Sequence, residues 1–168
     1  RSGKSAEAEL RVAAEPEVTY VATGPVASAG SGDEWAARVA AHRARRPSWW
    51  RTVESTDLPA VIGQARGAVL VDSVTTWLAA TMDECGAWTG SAAATAALAG
   101  RTGELVTAWR QAGCYLVAVT DETGLGIVPG TRAGRMFRDE LGRLNQILAA
   151  ESDEVTVVVA GRAQPLPD

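Results

Sequence analysis

Two hydrophobic patterns alternate along the chain. Ala68–Ser73 (AVLVDS) is a continuous apolar run of the kind a buried parallel strand requires, Tyr115–Asp121 (YLVAVTD) reads as another buried strand, Val18–Thr23 (VTYVAT) as a short β-rich run and Glu154–Gly161 (EVTVVVAG) as a last strand. Between them, apolar positions recur at helical spacing. That rhythm predicts helices over Ser5–Ala14, Leu58–Arg66, Thr75–Glu84 and Thr131–Glu151. The S-x-x-E form at Ser31–Glu34 predicts a capped helix start, and Pro47 ends that helix after Arg46. An alanine-rich stretch after Ser91 predicts a long helix to about Gln111, with Gly103 the candidate interruption. Ser48–Glu54 reads as a short extended segment. Gly24–Gly32, Gly86–Ser91 and Thr123–Gly130 read as loops, and the tail AQPLPD carries little structure. Strands alternating with helices predict an α/β fold: a mainly parallel sheet with helices on both faces, in one domain spanning residues 1–168.

Composition narrows the function classes. The chain has 168 residues, 46% hydrophobic and 21% charged, with a net charge of -4, which fits a folded domain with a real core. It argues against disorder and against a basic nucleic-acid binder, so no nucleic-acid partner is expected. No apolar run approaches the roughly 20 residues of a membrane span. Cys85 and Cys114 stand in no metal-binding spacing and read as reduced thiols of a cytoplasmic protein. The basic residues are almost all arginine: Lys4 is the single lysine, and His42 the single histidine. Arginine replaces lysine on a surface, but not where a compact point charge is needed.

Lys4 sits in Arg1-Ser2-Gly3-Lys4-Ser5, the closing part of a phosphate-binding loop, G-x-x-x-x-G-K-[ST]. Gly3 would let backbone N–H groups approach phosphate oxygens. Lys4 would reach the β- and γ-phosphates, and the Ser5 hydroxyl would coordinate Mg²⁺. The helix from Ser5 would point its positive N-terminus at the anion. A strand and the opening glycines of the loop are expected ahead of Arg1. Such a site needs an acid at the end of a neighbouring strand for the Mg²⁺ shell. Asp72 fits that role, with Asp121 and Glu122 as second candidates; a strand-end Asp also serves simply to cap the next turn. A chance GKS in a polar segment is the competing reading of the loop.

His42 shares a helical face with Trp35 and Val39, which suits a packed histidine at a helix end. Arg43, Arg45 and Arg46 follow it, and such a cluster can bind phosphate bidentately or simply complement a helix C-terminus. Arg132, Arg135 and Arg138 read as a solvated or subunit-facing stripe. The six tryptophans suit core packing or stacking on a flat ligand. TGLGIVP is a structural turn or a substrate loop. From these residues the open readings are a small P-loop kinase, or a nucleotide-binding switch module without catalysis.

Taken in order, RSGKS at 1–5, YVAT at 20–23, H-R-x-x-R-P at His42–Pro47, WRTVE at 50–54, LVDSVTTWL at 70–78, VTDETGLGIVP at 119–129 and FRDELGRLNQILA at 137–149 resemble one family. This is the bifunctional adenosylcobinamide kinase / adenosylcobinamide-phosphate guanylyltransferase of cobalamin biosynthesis. The resemblance implies a P-loop NTPase of RecA-like fold, cytoplasmic and homotrimeric. It implies phosphorylation of adenosylcobinamide by ATP or GTP, then transfer of GMP from GTP to adenosylcobinamide phosphate. It makes His42 the residue that carries GMP and Lys4 its catalytic partner on the triphosphate. Nucleotide contacts fall on Arg1, Ser2, Gly3, Lys4, Ser5, Val21, Ala22, Thr23, Arg43, Ala44, Arg45, Arg46, Glu54 and Asp72, with Ser5 and Asp72 holding Mg²⁺. The glycine-rich loop at 24–32 would let the His42 helix swing toward the nucleotide.

Overall fold

The computed structural model describes residues 2–24 and 46–167. The expected loop at 24–32 beyond Gly24, the helix from Ser31 up to Arg45, and the site residues Arg1, His42, Arg43, Ala44 and Arg45 lie outside the described residues.

The order is α1 (Lys4–Val12), β1 (Val18–Ala22), β2 (Arg51–Glu54), α2 (Leu58–Gln64), β3 (Ala68–Asp72), α3 (Val74–Glu84), α4 (Ala92–Arg110), β4 (Leu116–Val119), α5 (Arg132–Ala150), β5 (Thr156–Val159) and β6 (Arg162–Pro165). Strands β2-β1-β3-β4 form a sheet in that order, and every pairing is parallel. This is the mainly parallel α/β arrangement that the alternating pattern predicts.

The two faces of the sheet are covered unequally. Val21, Val69 and Val71 point into the larger core, with Leu58 and Ile62 of α2, Trp77, Leu78 and Met82 of α3, Leu98 and Leu105 of α4, and Leu141, Leu144 and Leu148 of α5. The opposite face carries Val18, Tyr20, Ala68, Leu70 and Val119, packed against Ala8 and Val12 of α1. Strand alternation puts β1 and β3 side chains in both layers, so their continuous apolar runs are what two-sided burial needs. At Gly67, just before β3, a Cβ would lie 2.3 Å from the Glu17 carbonyl oxygen, so only glycine allows this approach.

Trp77 is fully buried, and its Nε1 donates to the Thr56 carbonyl at 2.7 Å, tying α3 to the loop after β2. Trp77→Phe keeps a ring in the core but leaves that carbonyl without its donor. It should lower stability by about 1–3 kcal/mol, read from the urea midpoint at unchanged m.

Three expectations are corrected. The alanine-rich helix runs unbroken through Gly103 over Ala92–Arg110, because packing of Leu98 and Leu105 outweighs the propensity cost of one glycine. Strand β4 is buried only at Val119; it is one of the two edge strands of the described sheet, so Leu116–Ala118 are half covered. The tail does contain structure. Ala160 and Gly161 take positive φ and turn the chain, so Arg162–Pro165 pairs antiparallel with Thr156–Val159. This hairpin forms a separate sheet, tied to α1 by Arg11, which donates to Glu154 at 2.9 Å and to Thr156 at 3.0 Å.

Candidate functional site

The parallel sheet brings the carboxyl ends of β1, β3 and β4 together beside the N-terminus of α1. Ligands in open parallel sheets bind at this edge. Gly3 caps α1 with φ of 101°, a conformation that suits glycine, and leads directly into Lys4. A Cβ on Gly3 would also stand 3.0 Å from Gly161 Cα at the hairpin turn, where the Gly161 N–H donates to the Ser2 carbonyl at 2.7 Å. Ser5 lies in the first turn of α1.

Lys4 Nζ donates to Asp121 Oδ1, so the single lysine of the chain meets the carboxylate just beyond β4. The Asp121 backbone is fixed on two sides. Its N–H donates to Thr75 Oγ1 at 2.9 Å, and its carbonyl accepts from Asn145 Nδ2 at 3.1 Å. Burial alone would raise the Asp121 pKa, but the hydrogen bond and charge of Lys4 outweigh it and lower it. A carboxylate with a depressed folded pKa stabilises the fold above its ordinary value and loses that contribution as pH falls through the folded one. Asp121→Asn should therefore be less stable than the parent at pH 7, with the gap closing below the ordinary value of 3.8. Side-chain exposures of 32% and 47% keep the pair's contribution under about 1 kcal/mol. Urea unfolding of both proteins across pH measures it.

Asp72 ends β3 and faces the α1 side of the sheet. In register, Ala22 lies between Glu54 on one neighbour and Asp72 on the other, so both residues stand on one face, on strands roughly 10 Å apart. Tyr20 Oη donates to Asp72 Oδ2 at 2.8 Å, and the Arg46 guanidinium lies 3.7 Å above the Tyr20 ring centroid. Arg46 also donates to Thr52 Oγ1 at 3.2 Å. Thr23, 2% exposed, donates to the Ser73 carbonyl at 2.6 Å and accepts from the Ser73 N–H at 3.0 Å. Its hydroxyl also meets Thr76 Oγ1 at 2.7 Å, while Ser73 and Thr76 form a capping box at the start of α3.

Of the expected residues with described positions, Ser2, Gly3, Lys4 and Ser5 lie at or just before the start of α1, Ala22, Thr23, Glu54 and Asp72 at or just past strand ends, and Arg46 over the Tyr20 ring ahead of β2. Val21 differs. Its side chain is fully buried in the larger core on the opposite face, which leaves only its backbone to face a ligand. The reading from residues missed Tyr20, Thr76 and Asn145. Only the β1–β3 register, which places Tyr20 one step diagonal to Asp72, could have found the first. Arg132 and Arg135 are exposed and Arg138 is half-buried, as a largely solvated stripe on α5 would be. They donate to the carbonyls of Thr89, of Pro129 and Gly130, and of Gly124, and so hold the loops beside α5.

Ser5 and Asp72 offer a hydroxyl and a carboxylate on elements packed against the same sheet face. Mg²⁺ takes such hard oxygen ligands, one or two from protein and the rest from water and phosphates. Among the described residues, no cluster of three His, Cys, Asp or Glu side chains offers a richer metal cage. The donor set fits Mg²⁺.

A parallel sheet, a Gly-Lys-Ser turn opening a helix beneath it and an acid at an adjacent strand end define a nucleotide-binding α/β protein of the P-loop type. Known proteins narrow this class. The model of the cobinamide kinase / cobinamide phosphate guanyltransferase family (CobU) matches residues 1–166, and the chain belongs to that family. It is 37% identical, over 96% of its length and 92% of the relative's, to the bifunctional adenosylcobalamin biosynthesis protein CobU of Salmonella typhimurium. The Escherichia coli protein of that name is also 37% identical over 96% of the chain and 92% of the relative. The bifunctional adenosylcobalamin biosynthesis protein CobP of Pseudomonas aeruginosa is 40% identical over 99% of the chain and 92% of the relative.

Proposed function

We propose that this chain is a bifunctional kinase and guanylyltransferase acting on adenosylcobinamide. The observation that carries the reading is the family match along residues 1–166. In the first reaction, the aminopropanol hydroxyl of adenosylcobinamide attacks the γ-phosphorus of ATP or GTP, and the nucleoside diphosphate leaves. In the second, GMP passes from GTP to adenosylcobinamide phosphate, giving adenosylcobinamide-GDP and pyrophosphate.

The roles follow from the side chains. Lys4 exchanges the Asp121 carboxylate for the β- and γ-phosphates, neutralising charge as it moves to the leaving diphosphate. The Gly3–Ser5 backbone and the N-terminus of α1 supply further N–H donors to the phosphates. Ser5 and Asp72 would hold Mg²⁺, whose charge, when bound, offsets that of the phosphate oxygens. His42 is the nucleophile of the second reaction. Ser2, Val21, Ala22, Thr23, Arg46 and Glu54 border the nucleotide, joined by Arg1, Arg43, Ala44 and Arg45.

The proposal extends to one domain, a homotrimer and a cytoplasmic location. None of the described helices is long and apolar enough to cross a membrane. The exposed Leu125, Ile127 and Val128 are apolar surface that an assembly would cover.

Chromatography of adenosylcobinamide incubated with the chain, GTP and Mg²⁺ tests the proposal. The phosphate ester should form first and the GDP adduct second. Nucleotide turnover on other small alcohols with none on cobinamide would point to a different metabolite kinase.

A further inference from the structure

Tyr20 belongs to none of the phosphate-binding motifs, yet it touches the acid of the site. Its ring is 4% exposed and packs with Ala8, Val12 and Leu70 between the sheet and α1. Register sets its reach. Tyr20 lies opposite Leu70, and Asp72 lies opposite Ala22, so the phenol extends diagonally along one sheet face to Asp72 Oδ2 at 2.8 Å. The phenol hydroxyl is the donor of this pair, because a carboxylate oxygen accepts. On the other side the Arg46 guanidinium covers the ring at 3.7 Å from its centroid. The ring is thereby held from three directions: by the core below, Arg46 above and Asp72 at its tip.

We infer that Tyr20 is a positioning residue for Asp72, fixing Oδ2 and with it the plane in which the carboxylate meets Mg²⁺ and the phosphates. This rests on the proposed role of Asp72. Two side-chain bonds set the direction of a carboxylate, and rotation about either redirects both oxygens. The buried Tyr20 donor restrains Oδ2 against that rotation before the nucleotide arrives. Partners of this outer kind typically change metal affinity by about 10–100-fold.

Tyr20→Phe tests it, because the ring, its packing and the Arg46 stack remain and only the donor goes. A fluorescent GDP analogue is titrated into the full chain at increasing Mg²⁺. The expected result is a Mg²⁺ requirement raised about tenfold, with Mg²⁺-free nucleotide affinity unchanged. Asp72→Asn should abolish the Mg²⁺ dependence, and Tyr20→Phe added to Asp72→Asn should change nothing further. If Asp72→Asn loses the dependence while Tyr20→Phe keeps the parent's, the inference is overturned and the role of Asp72 stands. If Asp72→Asn keeps it, the role of Asp72 fails and takes the inference with it.

A second measurement needs no variant. The chain has two tyrosines, Tyr20 and Tyr115. With meta-fluorotyrosine at both, the fluorine resonance of Tyr20 should shift when Mg²⁺ joins bound GDP, while that of Tyr115, 46% exposed, stays. A Tyr20 resonance indifferent to Mg²⁺ would refute the inference.

Discussion

His42→Ala should retain no label after incubation with GTP labelled at the α-phosphate and denaturation, while the parent chain retains it. In the proposed step the His42 imidazole nitrogen would attack the α-phosphorus, forming a P–N bond as the bond to pyrophosphate breaks. Adenosylcobinamide phosphate then attacks the same phosphorus through a phosphate oxygen and releases the histidine. The attack needs the lone pair of a neutral imidazole nitrogen. The bond should be labile in acid and stable in base, as a phosphoramidate is. With one histidine in the chain, no second imidazole can substitute. Label retained equally by His42→Ala would remove the covalent step from the proposal.

Lys4→Ala should slow phosphoryl transfer to cobinamide by about 10²–10³-fold, the usual effect of removing one preorganised charge from developing phosphate charge. Lys4→Arg should restore little of it. A guanidinium is a broad planar fork and does not reproduce the compact point charge of an ammonium. Single-turnover transfer from nucleotide labelled at the γ-phosphate reads the chemical step directly. A Lys4→Ala chain at the parent rate would reject the phosphate-loop assignment. Asp121→Asn adds a contrast: it frees the lysine without removing it, so nucleotide should no longer compete with a carboxylate for the ammonium.

The parts of this site that a single stretch of sequence can encode were legible in it. Gly3-Lys4-Ser5 opening a helix, and AVLVDS as a strand ending in Asp72, need only local pattern. What stayed hidden depends on distant partners. Lys4 and Asp121 are 117 residues apart, and nothing local says which strand end the lysine meets. The Tyr20–Asp72 bond follows from a register that apolar runs leave open. The second strand of the hairpin was hidden because it begins after Ala160, a residue that rarely turns a chain at positive φ. Arg132, Arg135 and Arg138 have the spacing of a surface stripe; their role appears only once α5 is seen beneath the loops whose carbonyls they hold.

The web joining Thr23, Ser73 and Thr76 contains hydroxyl and backbone groups and no charge. Counterions have nothing there to screen. As ionic strength rises, the half-exposed Lys4–Asp121 pair weakens, because charges open to solvent are shielded within a Debye length of about 8 Å at physiological salt. The web that seats the end of β3 does not weaken with it. Salt thus separates two functions of one edge: it tunes how readily the lysine leaves its carboxylate, while the frame behind Asp72 keeps the same shape in dilute and concentrated media.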